Sequence, residues 1–202
     1  MAAAWGDPRR PEPLRRHHRV RRDGGPGAER ALVVPAGLDN TAYPDEVAEN
    51  PDPHLVADDL LPTPFTADEI RGALRGGVVI RVRTEGPDGA VTDRISRYSA
   101  ADDEGVLIES HPAGAPEAAK GARVAWRELQ AHAAFPAERT TVGSETIEHP
   151  LGRLDCLRYD VQDDDGRTVF WFALAHPGMP VRYETTGAEG STRTTVQEIA
   201  TD

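Results

Sequence analysis

From Phe65 onward the apolar positions fall into short runs with a period of two, separated by turn residues, which is the pattern of an antiparallel sheet. Residues 78–84 alternate well after the first position, placing Ile80 and Val82 on one face and Arg81 and Arg83 on the other. Further strands are predicted over 90–98, 106–109, 122–126, 140–148, 154–161, 168–175, 181–185 and 192–199. Between them stand Gly86-Pro-Asp-Gly89, Asp102-Asp-Glu-Gly105, Pro150-Leu-Gly152, Asp163-Asp-Asp-Gly166, His176-Pro-Gly-Met-Pro180 and Gly187-Ala-Glu-Gly190, all of hairpin composition. Two helices are predicted. Thr66 and Glu69 form a capping box, Phe65 and Ile70 are placed for a hydrophobic staple, and Gly76-Gly77 ends the first helix. The second runs from Arg127 to about Phe135, where Pro136 stops it.

One strand departs from the alternation. Residues 168–175, Thr-Val-Phe-Trp-Phe-Ala-Leu-Ala, place Val169, Trp171 and Ala173 on one face and Phe170, Phe172 and Leu174 on the other. A strand with one wet face would be polar at every second position. This one calls for cover on both sides: a helix on one, and on the other a second layer, the far wall of a rolled sheet, or a ligand. The expected fold is α+β, a strongly curved antiparallel sheet of about eight or nine strands, an open half-barrel, with two short helices packed on it.

Composition changes the picture mainly at the N-terminus. Ten of the 17 prolines of this 202-residue chain fall at or before Pro64, and residues 1–50 have no hydrophobic period. Residues 1–54 are therefore expected to be a disordered Arg/Pro/Gly-rich leader and connector, with Leu32-Val33-Val34 as a short strand at most, and 55–202 the half-barrel domain. His54-Leu55-Val56 and Leu60-Leu61 are candidates to dock on that domain. Residues 1–30 hold eight of the 23 basic and four of the 34 acidic residues, so the remainder is strongly acidic. Such a surface repels phosphates, which disfavours nucleic acid as a partner of the folded domain. The arginine run Arg9–Arg22 could attract an acidic surface or simply be a solvated tail. No stretch approaches the eighteen or so apolar residues of a membrane span, and no apolar segment follows the N-terminal arginines, so a cytoplasmic protein is expected.

Chemistry-bearing motifs are sparse. The acidic turns lack the ligand spacing and closing glutamate of a calcium loop and read as hairpin turns. The seven histidines, His17, His18, His54, His111, His132, His149 and His176, show no i, i+4 metal spacing. Cys156 is the single cysteine, which excludes an intrachain disulfide and reads as a small buried hydrophobe. There is no nucleophile elbow, phosphate loop or dinucleotide fingerprint. No catalytic residue, metal or cofactor is expected, and the chain reads as a non-enzyme. The aromatics Trp126, Tyr159, Trp171, Phe172 and Tyr183 are the candidate ligand-binding set. Three of them stand on consecutive predicted strands, as ordinary core or as the wall of an apolar pocket with polar tips.

The segments Gly152-Arg-Leu-Asp-Cys-Leu-Arg-Tyr159, Phe170-Trp-Phe-Ala173 and Pro177-Gly-Met-Pro-Val181-Arg-Tyr183 together resemble uncharacterised bacterial half-barrel families. Those are in turn similar to lipoprotein carriers of the LolA type, in which a curved sheet wraps helices around an apolar cavity. The resemblance covers about residues 138–199. It implies an open barrel and, by analogy, binding of an apolar or amphipathic small molecule. The alternative is a protein–protein interaction or structural module with a filled core, meeting a protein partner through a sheet edge or its acidic face.

Overall fold

The computed structural model describes residues 52–164 and 166–201. The leader expected over residues 1–54, the short strand at Leu32-Val33-Val34 and the arginine run lie outside the described residues, apart from 52–54. Helix α1 (Ala67–Leu74) leads into strands β1 (Val78–Glu85), β2 (Val91–Ser99), β3 (Gly105–Pro112) and β4 (Lys120–Ala125). Helix α2 (Trp126–Ala131) then precedes β5 (Thr140–His149), β6 (Gly152–Asp163), β7 (Gly166–Ala173), β8 (Arg182–Gly187) and β9 (Gly190–Thr201). All nine strands form one antiparallel sheet in the order β4-β3-β2-β1-β9-β8-β7-β6-β5. It is an open α+β half-barrel. Only the β1–β9 pairing joins strands distant in sequence, and a bulge interrupts it between Arg81 and Val82.

Local chemistry sets the boundaries. The Thr66 hydroxyl accepts from the Glu69 N–H while the Glu69 carboxylate accepts from the Thr66 N–H, so the capping box forms as the sequence predicts. Gly77, at φ +80°, turns the chain out of α1 where a β-carbon would be strained. Asp102 accepts from the N–H groups of Glu104 and Gly105, closing the β2–β3 turn as turn chemistry rather than a cation loop. A side chain on Gly105 would strike the Val124 carbonyl across the ladder, so only glycine fits there.

Two boundaries differ from expectation. Helix α2 is shorter than predicted, and Trp126 is its first residue rather than the end of a strand. Strand β7 ends at Ala173, leaving Leu174 outside it and 54 % exposed. The His176 N–H bonds back to the Ala173 carbonyl, which starts a turn before Leu174 can share the covered face of Phe170 and Phe172. Along β7 itself, Val169, Trp171, Phe172 and Ala173 are buried, as both-face cover requires.

The irregular segment before α1 is packed rather than loose. The Gln130 amide of α2 donates to the carbonyl of Pro53 and to the hydroxyl of Thr63, and accepts from the N–H of Ala67. The Leu61 N–H donates to the Phe135 carbonyl, while Leu60 bridges to Pro136. Leu55 and Val56 remain exposed, while His54 is bonded through its ring and its carbonyl to Thr63, so of the docking candidates His54 and Leu60-Leu61 engage the domain.

Replacing Thr66 with Ala removes one half of the capping box and should lower stability by about 1 kcal/mol. Phe172→Ala empties a site covered on all sides and should cost about 3–5 kcal/mol. Urea unfolding followed by tryptophan fluorescence checks both, and equal losses for the two variants would contradict the burial described.

Candidate functional site

The pairing registers sort every strand residue onto one of two faces. On the face that meets the helices, Tyr159 of β6 stands opposite Phe170 of β7, which stands opposite Tyr183 of β8. Phe172 lies two residues further along, opposite Leu157. Phe65, just before α1, packs edge-on against Phe172 at 6.4 Å. Phe135, just after α2, stacks on Phe170 at 4.8 Å and lies 5.5 Å from Tyr159. Tyr159 and Phe172 meet edge to face at 5.5 Å. Such tilted and edge-on pairings are the favoured aromatic geometries.

Within this layer Tyr159 and Phe172 are 3 % and 2 % exposed. The Tyr159 hydroxyl donates to the Pro62 carbonyl at 2.8 Å, and burial pushes its pKa up to about 12, so it stays a neutral donor. Tyr183, half-buried, extends the layer from Phe170 at 5.9 Å.

The other two candidates lie elsewhere. Trp171 points to the opposite face, with Val169 and Ala173, and packs in a cluster with Ile147, Leu154, Cys156 and Val181. Among the described residues no second sheet covers it. The guanidinium groups of Arg158 and Arg182 lie over its ring at 5.8 and 5.9 Å, and its Nε1–H donates to Glu145 at 2.9 Å. Asp160 joins Arg158 to Arg167 beside this roof and its carboxyl is held below the usual range, chiefly by its hydrogen bond with Arg167. Trp126 opens α2, next to β4, which is six places from β7 in the strand order, and donates to the Asp102 carbonyl. The sequence set thus divides: Tyr159, Phe172 and Tyr183 belong to one layer, and Trp171 and Trp126 do not.

Phe65, Phe135 and Phe170 are the ring contributors that sequence reasoning left out. For Phe65 and Phe135 the signal was slight, a neighbouring proline at the edge of a helix, whereas Phe170 already shared a face with Phe172 in the predicted strand.

Beyond the aromatics, toward the hairpin turns, the helix-facing positions become hydroxyls. Thr84 bonds Thr194 at 3.0 Å, Ser96 bonds Ser110 at 2.8 Å, and Thr168 bonds Thr185 at 3.2 Å. Arg94 stands in this band, and its Nε is buried without a hydrogen-bond partner. Among the described residues no group of three His, Cys, Asp or Glu side chains is placed to hold a metal ion, and no helix is long and apolar enough to cross a membrane.

On the outer face His149 clasps the edge hairpin to the body of the sheet. The Leu151 N–H donates to Nδ1, so Nε2 carries the proton and donates to the Val181 carbonyl at 3.1 Å. Burial, followed by the nearby charges of Arg182 and His176, lowers the His149 pKa despite the opposing Val181 bond. Folding therefore favours the neutral ring. Its stabilisation is complete above the unfolded value near 6.5 and is lost as pH falls through the lower folded value. The urea midpoint should drop between pH 7.5 and 5.5, and His149→Gln should flatten that drop; an unchanged pH dependence would exclude this clasp. Cys156 is 2 % exposed and its thiol is pushed up to about 11 by burial. It should resist a disulfide reagent at pH 8 until the chain is unfolded, and native-state labelling at the rate of a free thiol would contradict this.

No protein-family model and no curated protein matches the chain. Several solved structures do. One is the MucA/MucB complex of Pseudomonas aeruginosa, with 10 % identity and a TM-score of 0.45, matching 66 % of this chain and 54 % of that one, so this chain spans about half of it. A second is an exported protein with a YmcC-like fold from Bacteroides fragilis, with 12 % identity and a TM-score of 0.36 over 61 % of this chain and 95 % of that one. A third is a LolA-superfamily protein from Nitrosomonas europaea, with 12 % identity and a TM-score of 0.24 over 68 % and 94 % of the two chains.

Proposed function

We propose that the domain is a non-catalytic module that takes up an apolar or amphipathic small molecule on the helix-facing side of its sheet. The observation that carries this reading is how the aromatic layer is closed. Tyr159, Phe170 and Phe172 stand on strands, but the rings that cover them, Phe65 and Phe135, belong to irregular segments at the helix ends. A ligand chain that displaces those two rings exchanges one apolar contact for another and leaves every ladder hydrogen bond in place. Tyr159, Phe172 and Tyr183 would line the site, with the Tyr183 edge as its entrance.

A second reading has its own observation. The rings already pack at 4.8 to 6.5 Å, as in a core filled by its own side chains. On that reading the domain meets a protein partner, and β5, a ten-residue strand at the sheet edge that is exposed along most of its length, is the surface to offer.

Titration of the full chain with Nile red separates the two. Ligand uptake predicts saturable one-to-one binding, tightened severalfold by Phe135→Ala, which enlarges the space without touching a strand. A filled core predicts no saturable binding in either protein, and that result would overturn the uptake reading.

A further inference from the structure

Over the central strands the two faces of the sheet differ in charge. On β1, β2, β3, β8 and β9 the outward positions hold the carboxylates Glu85, Asp93, Glu109, Glu184 and Glu198, interleaved with arginines. Arg83 pairs with Asp93, and Arg193 with Glu184, in that outer lattice. The helix-facing positions of the same strands, and of β4 and β7, carry no carboxylate among the described residues. Their two charged residues are both cations: Arg94, opposite Val82 and Pro112, and Lys120, opposite Ser110. Carboxylates return to the helix-facing side only on the edge pair, as Glu148 of β5 and Asp155 and Asp163 of β6, so the carboxylate-free stretch is the one around Arg94.

Arg94 and Arg182 each bury an Nε without a partner, and of the two only Arg94 lies on the helix-facing side. Its Nε is buried and unpartnered, a state that disfavours the fold unless an acceptor arrives. Directly opposite it stand Val82 and Pro112, and the next positions on the same face are the hydroxyls Ser96 and Thr92 along β2, Thr84 on β1 and Ser110 on β3. Ser96 and Thr194 are themselves buried. Hydroxyls and a guanidinium together supply donors to an anionic oxygen, and the missing partner is an acceptor. Toward the other end of the strands the same face becomes apolar, through Val78, Ile80 and Val82 to Phe170 and Phe172.

Resting on the uptake reading above, we infer that the site selects an anionic amphiphile: a carboxylate or phosphate head received by Arg94 within the Ser/Thr band, with an alkyl chain running toward the aromatic layer. Charge complementarity supports this occupant over a neutral or cationic lipid, because no helix-facing carboxylate of the central strands would receive a cationic head.

The test titrates the full chain with dansyl-labelled undecanoic acid and with its methyl ester. The acid should bind at least about tenfold more tightly, the worth of one charge-assisted hydrogen bond. Arg94→Gln should erase that preference by bringing the acid down to the level of the ester, Arg94→Lys should restore part of it, and Arg81→Gln on the outer face should leave it intact. Dodecyl phosphate should displace the acid, and inorganic phosphate at millimolar concentration should not. Equal binding of acid and ester by the unaltered protein would overturn the head-group inference while leaving ligand uptake standing. Displacement by inorganic phosphate would also overturn it, assigning the band to a free anion. Failure of both probes to bind would overturn the inference and the uptake reading together.

Discussion

The burial of β7 on both faces is the constraint from which the rest of the domain follows. A strand reading Thr-Val-Phe-Trp-Phe-Ala stays folded only if each face is taken from water, and the two faces are covered by different means. On the inner face the cover is aromatic and comes from Phe65 and Phe135. On the outer face it is a roof of arginine stems and planes over Trp171, closed by Glu145. An arginine roof removes apolar area from water while its charged groups stay wet, so the outer face needs no second sheet. The sheet can therefore remain open.

The proposed uptake site lies on the side of the open sheet that the helix pair covers. Gln130 holds the connector, α1 and α2 together through three hydrogen bonds, and the Tyr159 hydroxyl ties Pro62 to β6. The layer over the aromatics is thus fastened by a few polar contacts, while the sheet beneath it is fastened by eight ladders. Beyond the layer, the carboxylate-free band around Arg94 gives the same face a chemical direction, apolar at the helix end and cationic toward the hairpins.

Much of this was legible in the chain. The capping box of Thr66 and Glu69 needs only residues three apart, and the hairpin turns are equally local, so they form where the sequence puts them. The double-sided character of Phe170-Trp-Phe172 was also local information. What covers each side was not. Arg158 and Arg182 reach Trp171 from the two flanking strands, and only the register of both pairings brings them together. The isolation of Arg94 from carboxylates likewise depends on which strands neighbour β2. Trp126 misled because aromatic residues share one sequence signature wherever they sit; strand order alone sends it to the far end of the sheet. Leu174 continued an apolar run past the point where a backbone turn ended the strand.

Amide hydrogen exchange along β7 bears most directly on the enclosed strand. The N–H groups of Val169 to Ala173 should exchange only through global unfolding, far more slowly than those of the edge strands β4 and β5. Exchange in β7 as fast as at those edges would mean that one of its faces is open to water, and the two-sided enclosure would be wrong.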